Sequence, residues 1–208
     1  MVNTNMSFAN AVSNIPIVRD IAEIFTIRDY KEDNESELID AKVPALRNTG
    51  NTALEKRINA EIMHKVDALV HDVKNRAKEY QNILKEANYT DAAIKRIEVQ
   101  IDYEIKSNTK ERVSFVLSKS EYFGSNYTEK YYYNVDLTTG KDITLKDMLG
   151  ENYKSIANSQ IKEQIQERIE NDENAMFFSE EDDPYLEDGS SFKSISDKQE
   201  FYINEEGN

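Results

Sequence analysis

The chain has 208 residues, enough for one α+β domain with a proper core or at most two small ones. Its hydrophobic fraction is 38% and its charged fraction 32%, with 40 acidic against 26 basic residues and a net charge of -14. That balance repels nucleic acid phosphates and anionic lipid headgroups; it would attract a basic protein, and solubility alone also accounts for it. The absence of cysteine excludes a disulfide framework, cysteine zinc sites and thiol catalysis.

In chain order, Met1 to Asn14 is small and polar. Ile15-Pro16-Ile17-Val18 and Ile21 to Phe25 then form an apolar stretch that reads as a short helix entering a strand at Phe25-Thr26-Ile27. Leu38 to Pro44 reads as extended, with Pro44 confining it to a strand end or sheet edge. Leu54, Ile58, Ile62, Val66, Leu69, Val73, Ala77, Tyr80 and Leu84 hold the helical period over about eight turns. Thr52 and Glu55 have the spacing of a capping box at the start of that helix.

Ile97, Val99, Ile101, Tyr103 and Ile105 alternate with polar residues, as a strand with one buried face does. Ser107 to Lys110 turns the chain into a return strand carrying Val113, Phe115 and Leu117. A third strand carries Tyr131, Tyr133, Val135 and Leu137 and ends in the turn Thr138-Thr139-Gly140-Lys141. Thr144 to Leu149 reads as a short helical turn, and Tyr153, Ile156, Ile161, Ile165 and Ile169 mark a second amphipathic helix. Phe201-Tyr202-Ile203 is a candidate terminal strand. The expected class is α+β: an antiparallel meander packed against one long and one shorter amphipathic helix.

Chemistry-bearing patterns are sparse. His64 and His71 flank Asp67 on the long helix, but two turns separate the imidazoles by ~10 Å, which favours a solvated flank over a metal site. The acidic run Glu180 to Asp183, with Asp188-Gly189 after it, lacks calcium-loop spacing and reads as a solvated loop. There is no phosphate cradle, nucleophile elbow or zinc-protease helix, so no catalytic residue, cofactor or metal is expected.

Two features invite function. Tyr122, Phe123, Gly124, Ser125 and Tyr127 form a Tyr/Ser/Gly-rich hairpin tip, a composition that serves either an adaptable contact surface at low entropic cost or the packing of rings on the sheet. Tyr131 and Tyr133 further along are expected to pack on the sheet instead. At the other end, Ala9-Asn10-Ala11 matches the small-x-small box of signal peptidase, with the cut falling before Val12.

Several segments together resemble the extracytoplasmic domain of RsiV-type anti-sigma factors, which is shared with PdaC-type peptidoglycan deacetylases. They are Phe8 to Ala11 with Ile15-Pro16 and Ile24 to Thr26, Tyr122 through Tyr132 to Lys141, Thr144 to Met148, and Phe201 to Ile203 with Gly207. The resemblance implies residues 1–14 as a juxtamembrane segment and 15–208 as a sensing domain. It implies a protein anchored in the membrane, facing outward, that binds a C-type lysozyme. Signal peptidase would then cut at the Ala9/Ala11 box, a second protease would follow, and an extracytoplasmic-function sigma factor would be released. The family's cytoplasmic segment and membrane helix are not in this sequence. Its C-terminal Tyr-Glu-x-x-Pro-Gly stretch does not follow Asn208, so the domain is expected to be C-terminally incomplete. The other reading is an accessory wall-associated domain of a deacetylase or lipoprotein. Neither reading makes the chain an enzyme.

Overall fold

The protein is described by a computed structural model in which residues 22–87, 96–123, 125–172, 175, 177 and 192–208 are placed. The described elements are β1 (Glu23–Asp33), β2 (Glu37–Arg47), α1 (Thr52–Glu86), β3 (Ile97–Asn108), β4 (Arg112–Tyr122), β5 (Asn126–Asp136), α2 (Leu145–Leu149) and α3 (Tyr153–Asn171). The chain is α+β. It divides into two compact units, one running to Asp142 and including Tyr202–Asn208, the other Ile143–Phe201.

The first unit is a five-stranded sheet in sequence order, β1-β2-β3-β4-β5. The hairpin β1–β2 and the meander β3–β4–β5 are antiparallel. β2 and β3 run parallel over Glu37–Ala41 and Ile97–Ile101, because α1 lies between them in the sequence and returns the chain to the same end of the sheet. The expected meander is therefore its second part, preceded by a crossover that alternation alone does not reveal.

α1 is 35 residues long, about 52 Å at the α-helical rise. Its buried residues are Leu54, Ile58, Ile62, Val66, Val73, Ala77 and Leu84, all from the apolar series legible in the sequence. All of these but Leu84 share one cluster with Ile39, Ala41, Val43 and Leu46 of β2, Ile97, Val99 and Ile101 of β3, Val113, Phe115 and Leu117 of β4 and Val135 of β5. This layer of apolar side chains between α1 and the sheet is the core, and its removal from water is the main driving force for folding.

The helix start differs from expectation. Asn51 is the N-cap, with extended backbone, and its Oδ1 accepts from the Leu54 amide at 3.0 Å. Glu55 reaches back past Thr52, to the Thr49 amide at 2.8 Å and hydroxyl at 3.0 Å. The cap thus sits one residue earlier than a Thr52–Glu55 box would place it. Asn and Thr both cap well, and the path of the preceding turn selects between them.

Pro44 is inside β2 but past the residues that pair with β3, and it faces Thr26. The β1–β2 register shifts there, between Thr26 and Arg28, leaving Ile27 unpaired and exposed. A proline has no amide to donate, so the strand tolerates it beside a bulge and at an unpaired edge. β1 itself runs from Glu23 to Asp33, well beyond the three residues expected, so Glu23 and Ile24 of the stretch read as a short helix are already strand, while Ile15 to Ile21 lies outside the described residues.

The C-terminal segment is not a strand, contrary to expectation. Ile203 is nevertheless fully buried, and its amide donates to Ser114 Oγ at 3.0 Å and Asn134 Oδ1 at 3.2 Å. Ser114 donates to Asn134 at 2.7 Å, so two buried polar side chains on neighbouring strands form the receptor for one backbone N–H. A side-chain receptor replaces the ladder that a strand would need.

In the second unit, α2 begins with a complete capping box: Asp147 N–H donates to Thr144 Oγ1, and Thr144 N–H donates to the Asp147 carboxylate at 2.8 Å. α3 has the expected extent but buries none of its residues, and Ile156 and Ile169 are 42% and 46% exposed. Its Asn158 Oδ1 accepts from the Ile195 amide at 2.8 Å, and Lys154 pairs with Asp197. Among the described residues no helix is long and apolar enough to cross a membrane.

Candidate functional site

The β4–β5 hairpin pairs every residue from Arg112↔Asp136 to Tyr122↔Asn126 without a bulge. Side chains along a strand alternate between faces, so this register assigns each one. Val113, Phe115, Leu117, Lys119 and Glu121 of β4 face α1, together with Val135, Tyr133, Tyr131, Glu129 and Tyr127 of β5. Ser114, Val116, Ser118, Ser120 and Tyr122 take the other face, with Asn134, Tyr132, Lys130, Thr128 and Asn126.

The tip residues therefore divide. Tyr122 and Tyr127 are 51% and 59% exposed and project from opposite faces of the hairpin. Phe123 is different: its ring meets the edge of Tyr80 on α1 at 4.7 Å and 85°, and it packs on the core cluster. Its amide donates to the Ser125 carbonyl at 3.2 Å, closing the turn. Phe123 thus clamps the tip to the helix, leaving Tyr122, Ser125 and Tyr127 as the accessible side chains of the sequence-predicted set. Gly124 lies outside the described residues, as do Ala9, Ala11, Val12 and the acidic run Glu180 to Asp183.

Beneath the tip lies a charge network that sequence reasoning missed. Arg76 of α1 donates through two guanidinium nitrogens to the two oxygens of Glu121, at 2.5 and 2.7 Å, and a third donates to Asp72 at 2.9 Å. Lys119, with a side chain only 4% exposed, lies 2.9 Å from Glu121 and 4.0 Å from Glu129. Hydrogen bonding from Arg76, opposed by burial and aided by Lys119, holds the Glu121 carboxyl down at about 2. The same contact raises the Arg76 guanidinium. The signal was present in the strand pattern. Lys119 and Glu121 continue the inward series Val113, Phe115, Leu117, and an inward charge requires a partner.

Tyr131 and Tyr133 are structural, as expected. Tyr133 stacks on Phe115, centroids 4.7 Å apart, and burial together with the Glu61 charge pushes its phenol up to about 12. Tyr131 lies under the Lys65 ammonium, 4.4 Å from its ring centre, and donates to Glu129 at 2.6 Å. His64 and His71 are exposed on α1, and Asp67 between them pairs with Arg28. Among the described residues no cluster of His, Asp and Glu suited to a metal is found. The tip presents hydroxyl and aromatic side chains on a hairpin stem paired without a bulge.

Residues 30–125, from β1 to the hairpin tip, match the family model described as Deacetylase PdaC. Over 209 aligned residues, covering 99% of this chain and 67% of the relative, the sequence is 29% identical to the anti-sigma-V factor RsiV of Bacillus subtilis (strain 168). The fold is similar to that of a DUF3298-family protein from Bacteroides fragilis NCTC 9343, with TM-score 0.57 and 13% identity, covering 85% of this chain and 78% of that one. The chain is thus similar in sequence to RsiV along nearly its whole length, and its residues 30–125 match the PdaC model.

Proposed function

We propose that this chain is the ligand-sensing domain of an anti-sigma factor, and that its ligand is a C-type lysozyme. The observation that carries the reading is similarity to RsiV along 99% of the chain, which supports an anti-sigma factor role and a non-enzymatic one. The net charge of -14 suits a strongly basic protein, whose encounter rate it would raise by steering. In this reading Tyr122 and Tyr127, with Ser125 between them, supply contacts at the tip, and Phe123 and Gly124 shape it. Signal peptidase would cut before Val12, reading Ala9 and Ala11, in a parent protein that is anchored in the membrane and faces outward. The sigma factor would be held by a cytoplasmic segment beyond this sequence.

Calorimetric titration with a C-type lysozyme tests the reading, on this chain and on the complete extracytoplasmic region of its parent. Saturable binding that weakens steeply with salt is expected. No binding by the complete region overturns it. In cells, Ala11→Trp in the parent is expected to stop lysozyme-triggered release, and unchanged cleavage would remove the Ala9/Ala11 box from the mechanism.

The match to the PdaC model favours a second reading, an accessory wall-associated domain of a deacetylase or lipoprotein. A sigma-factor gene adjacent to the coding sequence supports the first reading, and a fused deacetylase domain the second.

A further inference from the structure

β5 is the last strand of the sheet, and β4 is the only described element that runs along it. The two outer strands are built differently. β1 has a bulge between Thr26 and Arg28 and charges at Arg28, Asp29, Lys31, Glu32 and Asp33, devices that keep a free edge from pairing. β5 runs for 11 residues with no proline and no bulge, and its centre, Tyr131-Tyr132-Tyr133, has high strand propensity. The direction of its main-chain groups follows from the ladder. Leu137 N–H donates to the Glu111 carbonyl, one step past the Arg112↔Asp136 pair. Such groups alternate between the two sides of an antiparallel strand, so those of Tyr131 and Tyr133 meet β4 and those of Lys130 and Tyr132 point off the edge. Asp136 N–H, which donates outward to the Lys141 carbonyl at 2.9 Å, fits the same alternation.

Outward amides and carbonyls in a row are a template for another strand. A second copy of the chain supplies one through a two-fold axis normal to the sheet. Opposed residues must share a face, so that axis passes through a residue position. Charge and free length select which. An axis at Glu129 opposes two carboxylates, and one at Lys130 opposes two exposed ammonium groups. An axis at Thr128 leaves the outward groups of Tyr132 unpaired. An axis at Tyr132 sets Glu129 against the partner's Val135, whose outer side is already bridged to Asp142. An axis at Tyr131 opposes no like charges. It sets Lys130 opposite the partner's Tyr132 and Glu129 opposite the partner's Tyr133, each twice by symmetry, which offers a cation–π contact and a phenol-to-carboxylate hydrogen bond. We infer that the β5 edge is a dimer interface, on which a second copy of this chain adds antiparallel about Tyr131 to make one continuous sheet.

Sedimentation equilibrium of the full chain tests it, at about 0.5 M salt so that repulsion between two chains of net charge -14 is screened. A monomer–dimer equilibrium is expected. Lys130→Pro withdraws an outward amide without touching the β4 ladder and should weaken association roughly tenfold or more. The chain has no cysteine, so single cysteines report the register. Tyr131→Cys places two thiols across the axis, where opposed Cα atoms lie about 4.5 Å apart, within the span of a disulfide. It should cross-link on mild oxidation. Thr128→Cys, about 20 Å from its mate in this register, should not. A chain that stays monomeric at millimolar concentration, a Lys130→Pro variant that dimerises as the parent does, or equal cross-linking of the two cysteine variants overturns the inference. These readouts involve no lysozyme, so their failure leaves the sensing reading standing.

Discussion

Arg76 and Glu121 join the long helix to the β4–β5 hairpin: two guanidinium nitrogens meet two carboxylate oxygens at 2.5 and 2.7 Å. Forty-five residues separate the partners, and the pair closes over Lys119, which depends on the same carboxylate. The carboxylate side chain is only 10% exposed, so its charge is largely cut off from water. Together with the Phe123–Tyr80 contact, the pair holds the tip at a set position over α1.

Removing the guanidinium leaves a mostly buried carboxylate with Lys119 alone. Arg76→Ala is expected to cost about 1–2 kcal/mol, the usual penalty for stranding one partner of a half-exposed charged pair. Urea denaturation at neutral pH measures it. A change within ±0.5 kcal/mol would mean that Lys119 alone suffices for Glu121.

The same carboxylate makes stability depend on acid. Its folded value of about 2 lies below the ordinary 4.5, so the folded state favours the ionised form. That contribution is fully present above about 4.5 and is lost as pH falls from there through about 2. Glu121→Gln should therefore show a flatter stability profile than the parent between pH 5 and 2, on the order of one titrating group. Parallel profiles for the two proteins would contradict the assignment.

Helix capping gives a sharp pair of substitutions. Asn51→Ala should destabilise by about 1 kcal/mol, because the Leu54 amide loses its acceptor. Thr52→Ala should change stability little, since Thr52 is the first helical residue and alanine is favoured there. Thermal melts of both variants decide it, and a larger loss for Thr52→Ala would restore the capping box read from the sequence.

At the far end of the hairpin, Asn134→Ala withdraws one of two acceptors from the Ile203 amide and leaves the Ser114 hydroxyl without its acceptor. A loss of about 1–3 kcal/mol is expected for a buried polar group left unsatisfied. Hydrogen exchange localises it: the Ile203 amide should exchange faster than those in the centre of β4. Unchanged protection at Ile203 would show that burial of its side chain, without Asn134, holds the segment.

The RsiV-like character and the elements of the first unit were legible in the chain because their signals are local. A 3.6-residue period from Leu54 to Leu84 specifies a helix with one buried stripe whatever lies beneath it. Strict alternation from Ile97 to Ile105 and from Val113 to Leu117 likewise specifies strands with one wet face. The Tyr/Ser/Gly composition at 122–127 marked the hairpin tip for the same reason. Tertiary structure decided what depends on partners distant in sequence. It ran β2 parallel to β3, moved the cap to Asn51, left α3 without a buried face, and made Ile203 a guest of Ser114 and Asn134 in place of a strand. It also separated Tyr122 from Tyr127 across two faces and turned Phe123 inward onto Tyr80. Periodicity records which residues leave water. Which neighbour receives a buried charge, a backbone amide or an aromatic ring is set by packing across the sheet, and no local pattern carries that information.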